Sequence, residues 1–155
     1  SLAGLSGSGR AEKRARDRLA AGAGVMYLLD TNTLIYFFKG QGRVADNLLS
    51  VAPGEAFLPC IAVYEIETGI AKSKHPEKLR QDLESFLAMV SVLPFGLAEA
   101  RSATRIRAHL ETAGTPIGPY DVLIAATALA NGLTLVSRNL REFDRIQNLR
   151  VVDWF

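Results

Sequence analysis

The sequence predicts an α/β domain with a central parallel sheet covered by helices on both faces. Short, continuously apolar runs recur along the chain, for example Val25 to Leu29 and Leu133 to Val136. Runs of this kind read as strands buried on both faces rather than on one. Segments with helical spacing separate them, so strands and helices alternate, which is the pattern of a parallel sheet. Polar clusters stand at the ends of two of the strands: Asp30-Thr31-Asn32-Thr33 after the first and Ser137-Arg138-Asn139 after the fourth. In open α/β sheets, ligand chemistry collects beyond the carboxyl ends of the strands.

Length and composition set the bounds. A chain of 155 residues with 48% hydrophobic content fits one domain with a proper core. No apolar run approaches the roughly 20 residues of a membrane span, and the N-terminal stretch lacks the apolar block of a secretory signal. A soluble, cytoplasmic protein without membrane contact is therefore expected. The single cysteine, Cys60, excludes an internal disulfide and a Cys-based zinc cluster, and its apolar neighbours predict a buried small hydrophobe. Residues 1–25 carry a formal charge of +3, whereas the chain from Met26 on carries −1. Net charge thus gives no argument for nucleic acid, and only local patches could. The Gly-, Ser-, Ala- and Arg-rich residues 1–25 are expected to be a flexible arm ahead of a natural start at Met26, leaving 26–155 as the folded domain.

The elements follow in order. After the first strand, an apolar helix covers Thr33 to Phe38, the loop Lys39-Gly40-Gln41-Gly42 breaks it, and a weaker helix covers Arg43 to Ser50. A second strand, Ala56 to Cys60, leads into a helix from Ile61 to about Lys72. On that helix Glu65 and Gly69 share a face while Glu67 points the opposite way, so the two acids should not share a task. Glycine at position 69 costs about 1 kcal/mol relative to alanine, which predicts close approach of another backbone. Pro76 opens the next helix, whose apolar stripe of Leu79, Leu83, Phe86, Leu87 and Val90 predicts packing or a dimer surface. Val90 to Phe95 is a third strand, placed at an edge by Pro94. The long helix from Leu97 to about Ala113 bears Arg101, Arg105 and Arg107, which read either as a phosphate-contacting ridge or as a solvated face. Pro119 opens an alanine-rich helix ended by Asn131-Gly132, a fourth strand runs from Leu133 to Val136, a short helical turn covers Leu140 to Arg145, and Leu149 to Asp153 closes the sheet.

Three acids fall at comparable places in this pattern. Asp30 follows the first strand, Glu65 lies near the start of the helix after the second, and Asp121 lies in the first turn of the helix before the fourth. Asp30 alone reads equally as a helix cap or as a metal ligand. Asp121 continues an inward-looking apolar stripe through Ile124, Ala125, Ala128 and Leu129, an unusual place for a carboxylate unless paired or metal-bound. Right-handed crossovers would bring the three to one edge of the sheet. Gathered carboxylates repel and stay ionised mainly when a hard cation neutralises them. Mg²⁺, which takes a few carboxylates, water and phosphate oxygens, points to metal-assisted phosphodiester hydrolysis.

The segments Leu28-Leu29-Asp30-Thr31-Asn32, Glu65-Ile66-Glu67-Thr68-Gly69, Asp121 to Ala128, and Leu135 to Phe143 together resemble the PIN-domain ribonucleases, specifically the VapC-type toxins of bacterial type II toxin-antitoxin pairs. The resemblance spans Met26 to the end of the chain. It implies a three-layer α/β/α fold on a parallel sheet of four to five strands, Mg²⁺ or Mn²⁺ dependence, endonucleolytic cleavage of RNA (often transfer or ribosomal RNA), a homodimer and inhibition by a cognate antitoxin protein. By position it makes Asp30, Glu65 and Asp121 the catalytic acidic ligands, supported by Asn32 and Ser137. Two departures stand out. Asn139 occupies a position where many relatives have an aspartate, so a second metal would be held weakly or through Glu142, because an amide offers only a neutral oxygen. Ala62 replaces a frequent threonine and removes a hydroxyl near the site. Lys39, Arg43, Lys72, Lys74 and Arg138 are expected to rim the crevice and touch RNA phosphates, which give affinity but little sequence information.

Two other classes compete. A signalling receiver module also has an acid after its first strand, but Pro94-Phe95-Gly96 offers no phosphoacceptor after the third. A PIN-like domain that binds RNA or antitoxin without turnover is the other alternative, motivated by Asn139.

Overall fold

The computed structural model describes residues 24–52 and 54–155. The expectation of a flexible arm over residues 1–25 therefore falls, but for Gly24 and Val25, outside the described residues. The elements are β1 (Tyr27–Leu29), α1 (Thr31–Phe38), α2 (Val44–Ser50), β2 (Ala56–Pro59), α3 (Cys60–Lys72), α4 (Glu77–Leu87), β3 (Ser91–Leu93), α5 (Leu97–Thr112), α6 (Pro119–Ala130), β4 (Thr134–Val136), α7 (Leu140–Phe143) and β5 (Val151–Val152). All four strand pairings are parallel, in the order β3-β2-β1-β4-β5. The chain builds outward from β1 to β3, then returns to add β4 and β5 on the other side. The reversal falls between β1 and β4, the switch point where such sheets open a crevice.

Strand geometry explains the layers. Successive residues point to opposite faces, so Leu28 and Leu29, both fully buried, enter different cores. Leu28 joins Phe57, Leu93 and Leu135 against α5 and α6, through Ile106, Leu110, Val122 and Ala125. Leu29 joins Leu58 and Val136 against α1 to α4, through Leu34, Val44, Ile66 and Phe86. Each fully buried aliphatic or aromatic side chain of this kind contributes roughly 1.5–3 kcal/mol. The result is the expected three-layer α/β/α arrangement on five strands.

Several local expectations hold and several do not. β3 is an edge strand and Pro94 follows its last residue, as proline demands. Pro119 occupies the first turn of α6, and Gly132, at φ +65°, ends it in the left-handed conformation, with Leu133 N–H bonding Ala128 O at 2.9 Å. Glu67 turns away from Glu65 and pairs with Arg80 of α4 at 2.7 Å. The stripe on α4 is packing: Leu83 and Phe86 are buried, and Phe86 meets Phe37 and Phe38 of α1 edge-on. Arg107 is exposed and ion-paired with Glu111 one turn on, as on a solvated helix face.

Gly69 is a correction. Among the described residues, no atom outside its own helix backbone and chain neighbours lies within 4 Å of where its Cβ would stand, so no other backbone among them approaches it. Cys60 is half-buried at the start of α3 rather than a core residue, because the strand ends one residue earlier than expected. Ala62 is fully buried in the core cluster of α1 to α4, one turn before Glu65 on α3. The last strand is shorter than Leu149 to Asp153, with only Val151 and Val152 in the ladder. Among the described residues no helix is long and apolar enough to cross a membrane.

Candidate functional site

The crevice beyond β1 and β4 is assembled from the ends of these elements. Asp30 follows β1 directly and is 5% exposed. Its Oδ1 accepts the Thr33 N–H at 2.8 Å, so the residue caps α1. The Ser137 hydroxyl, just past β4, stands beside the same carboxylate and favours its charged form. Thr33 Oγ1 donates to Val136 O at 3.1 Å, which fastens the start of α1 to the end of β4. Burial raises the Asp30 carboxyl above its ordinary value. The hydrogen bonds from Ser137 and Thr33 offset part of this, and the negative charge of Asp153 adds a smaller push upward.

Glu65 lies on the second turn of α3, half-buried, and Oε1 accepts the Thr31 hydroxyl at 2.7 Å. Asp121 occupies the first turn of α6, where the helix N-terminus favours an anion. A Cβ at Gly118 would make only ordinary contact with Asp121 Oδ2, at 3.5 Å. The Asp121 carboxyl is nonetheless pushed up to about 6, first by burial, then by the negative charges of Asp30, Glu142 and Glu65. Asp121 thus lies within electrostatic reach of three carboxylates from other parts of the chain. Among the described residues no three acidic, histidine or cysteine side chains are drawn into a ready coordination cage. The donor set itself, all hard carboxylate oxygen with a buried member, suits Mg²⁺ or Mn²⁺.

The other expected residues divide. Ser137 is fully buried beside Asp30, and its hydroxyl oxygen accepts Asn139 N–H at 3.0 Å. Asn139 donates its amide to Glu142 Oε2 at 2.8 Å, so the amide holds the glutamate and the glutamate brings its charge to Asp121. Asn32 is exposed on the first turn of α1 and makes no side-chain hydrogen bond among the described residues. Of the basic candidates, Arg138 is tied to the crevice, following Ser137 with its guanidinium 3.6 Å over the Phe155 ring and 5.9 Å from that of Tyr36. Lys39, Arg43, Lys72 and Lys74 are exposed, without ion-pair partners among the described residues. Lys72 lies seven residues, hence about 10 Å, along α3 from Glu65.

Four neighbours of the site escape a reading of the sequence. Thr31 holds Glu65, Asp153 bears on Asp30, and Tyr64 and Tyr120 stand beside Glu65 and Asp121 with hydroxyls 3.4 Å apart. The Tyr120 phenol is raised, chiefly by its hydrogen bond with Tyr64. Only position hinted at these roles: Thr31 lies in the polar cluster after β1, and each tyrosine directly precedes an acid.

Known proteins resemble this chain in sequence and fold. The family model described as PIN domain matches residues 27–149. The tRNA(fMet)-specific endonuclease VapC of Salmonella typhimurium is 36% identical over 128 residues, covering 83% of this chain and 97% of that protein. Ribonuclease VapC2 of Haemophilus influenzae is 37% identical with the same coverage. Among solved structures, the DNA-bound VapBC of Salmonella typhimurium superposes with a TM-score of 0.79 at 35% identity, covering 85% of this chain and 100% of that one. The chain belongs to the PIN-domain family and, within it, to the VapC ribonucleases.

Proposed function

We propose that this protein is a divalent-metal-dependent endoribonuclease, the toxin of a toxin-antitoxin pair. The observation that carries the reading is the convergence of Asp30, Glu65, Asp121 and Glu142 at the β1/β4 switch point. Asp30, Glu65 and Asp121 would hold Mg²⁺ or Mn²⁺, with Glu142 and, more weakly, the Asn139 amide oxygen at the margin. When bound, the metal supplies an activated water and neutralises charge on the displaced oxygen. The chain's own residues do the positioning. Ser137 and the Thr33 N–H fix Asp30, Thr31 fixes Glu65, and Asn139 fixes Glu142. Arg138, flattened on Phe155, keeps its N–H edges for a phosphate.

The relatives' names make transfer RNA the first substrate to test, and the VapBC assemblies among the structural neighbours support a protein antitoxin as partner. A homodimer completes the proposal, to be checked by light scattering of the purified protein. For the activity, purified protein is incubated with initiator transfer RNA and Mg²⁺ or Mn²⁺. Cleavage should be lost in chelator and in Asp30→Asn and Asp121→Asn. Undiminished cutting by those variants would sink the reading.

A further inference from the structure

Two tyrosines stand immediately before two of the site acids: Tyr64 before Glu65 on α3, and Tyr120 before Asp121 on α6. The two helices touch, and the rings meet edge-to-face between them, centroids 5.7 Å apart and planes inclined by 62°. Both residues are exposed, at 54% and 43%. Neither belongs to a hydrophobic cluster, and among the described residues each one's aromatic partner is the other. The pair adds little to the core, yet it holds two large aromatic faces in water beside a group of carboxylates.

That combination suits one ligand chemistry. Carboxylates repel a phosphate backbone, so RNA at this crevice needs uncharged contacts as well as a cation. Proteins commonly hold unpaired RNA bases by stacking them on aromatic side chains, because every base has a π-face. We infer that Tyr64 and Tyr120 form a stacking platform for a nucleobase next to the scissile phosphate. Two rings already braced against each other give up little freedom when a base stacks on them, and their paired hydroxyls lie at the rim, in reach of a base edge or a 2′-hydroxyl. The inference rests on the ribonuclease reading and adds to it the contact that seats the strand. A protein segment docking on the same rings is the competing occupant.

The test uses short single-stranded RNAs in which 2-aminopurine replaces each base in turn, bound in Mg²⁺ to the full chain carrying Asp121→Asn. Fluorescence should be quenched at one position. Adding Tyr64→Leu and Tyr120→Leu together should abolish the quenching and weaken binding on the order of tenfold or more, as loss of one stacked base does. Tyr64→Trp or Tyr120→Trp should keep both. In the protein with Asp121 intact, an abasic site at that position should lower kcat/KM for the parent and leave the double-leucine variant unchanged. Quenching that survives the double-leucine change, or an abasic penalty equal in both proteins, overturns the platform. So does a double-leucine variant that binds RNA normally but loses a partner protein. A parent that quenches at one position yet never cuts RNA overturns the ribonuclease reading and leaves the platform standing.

Discussion

Asp121→Asn should make the metal-free protein more stable, and by an amount that depends on pH. The wild-type carboxyl lies at about 6 instead of 3.8. Ionising it in the folded state therefore costs about 3 kcal/mol relative to the unfolded chain. Asp121 is half-buried, so solvent screening trims that to about 1–2 kcal/mol. The helix N-terminus at α6 favours the anion, which places the expected value at the lower end. The sign follows from which state keeps its proton longer. Between about pH 4 and pH 6 the unfolded chain has released the Asp121 proton while the folded protein retains it, so wild-type stability falls as pH rises through that window. Below about pH 4 both states are protonated and the penalty is absent; above about pH 6 it is present in full.

Melting in chelator at pH 7.5 should therefore place the variant about 1–2 kcal/mol, or roughly 2–8 °C, above wild type. The offset should shrink towards zero at pH 4. Saturating Mg²⁺ or Mn²⁺ should reverse the order, because a ligand at a hundred times its Kd stabilises by about 2.7 kcal/mol and the variant binds it less tightly. A variant that melts below wild type in chelator at pH 7.5, or an offset indifferent to pH, would refute the picture of repelling carboxylates.

Other consequences are more local. Thr31→Val removes the hydroxyl that Glu65 accepts at 2.7 Å; it should cost about 1 kcal/mol by denaturant titration and about tenfold in kcat, with the RNA Kd unchanged. Gly42→Ala should lower the melting temperature, by about 1–3 kcal/mol in stability, since φ is +62° and the new Cβ would sit 2.7 Å from the Phe155 ring. Gly69→Ala, with open space around it, should gain about 0.5–1 kcal/mol in the same assay without loss of cleavage. Asn139→Asp replaces the amide that bonds Glu142 at 2.8 Å with a second carboxylate. Calorimetry should show Mn²⁺ bound on the order of tenfold more tightly, about 1.4 kcal/mol, while the metal-free protein melts earlier.

What the sequence could disclose follows from the range over which each signal acts. Strands such as Leu133 to Val136 and caps such as Gly132 are set by neighbours a few residues away, so composition and spacing reveal them. The acids were legible for the same reason, each lying at a strand end or in an early turn of a helix. Thr31 with Glu65 and Tyr64 with Tyr120 were not, because these pairs join residues 34 and 56 positions apart and leave no periodic trace. Gly69 misled through a local rule: its cost in a helix is real, but only the tertiary neighbourhood shows whether anything approaches it. The hydroxyl beside Glu65 comes from Thr31 on another helix, a partner that the spacing around Glu65 does not reveal.

Asp30 began as either a cap or a ligand, and its surroundings make the two roles compatible. A carboxylate has about four acceptor sites. The Thr33 N–H takes one on Oδ1, with the Ser137 hydroxyl close by, which orients the group and leaves acceptor capacity over. Those bonds offset only part of the penalty of burial, while Asp153 adds to it and Asp121 faces it across the crevice. Among the described residues no lysine or arginine bonds to Asp30. The chain thus orders the carboxylate without neutralising it, and the remaining charge is of the kind that a divalent cation, rather than a side chain, is placed to balance.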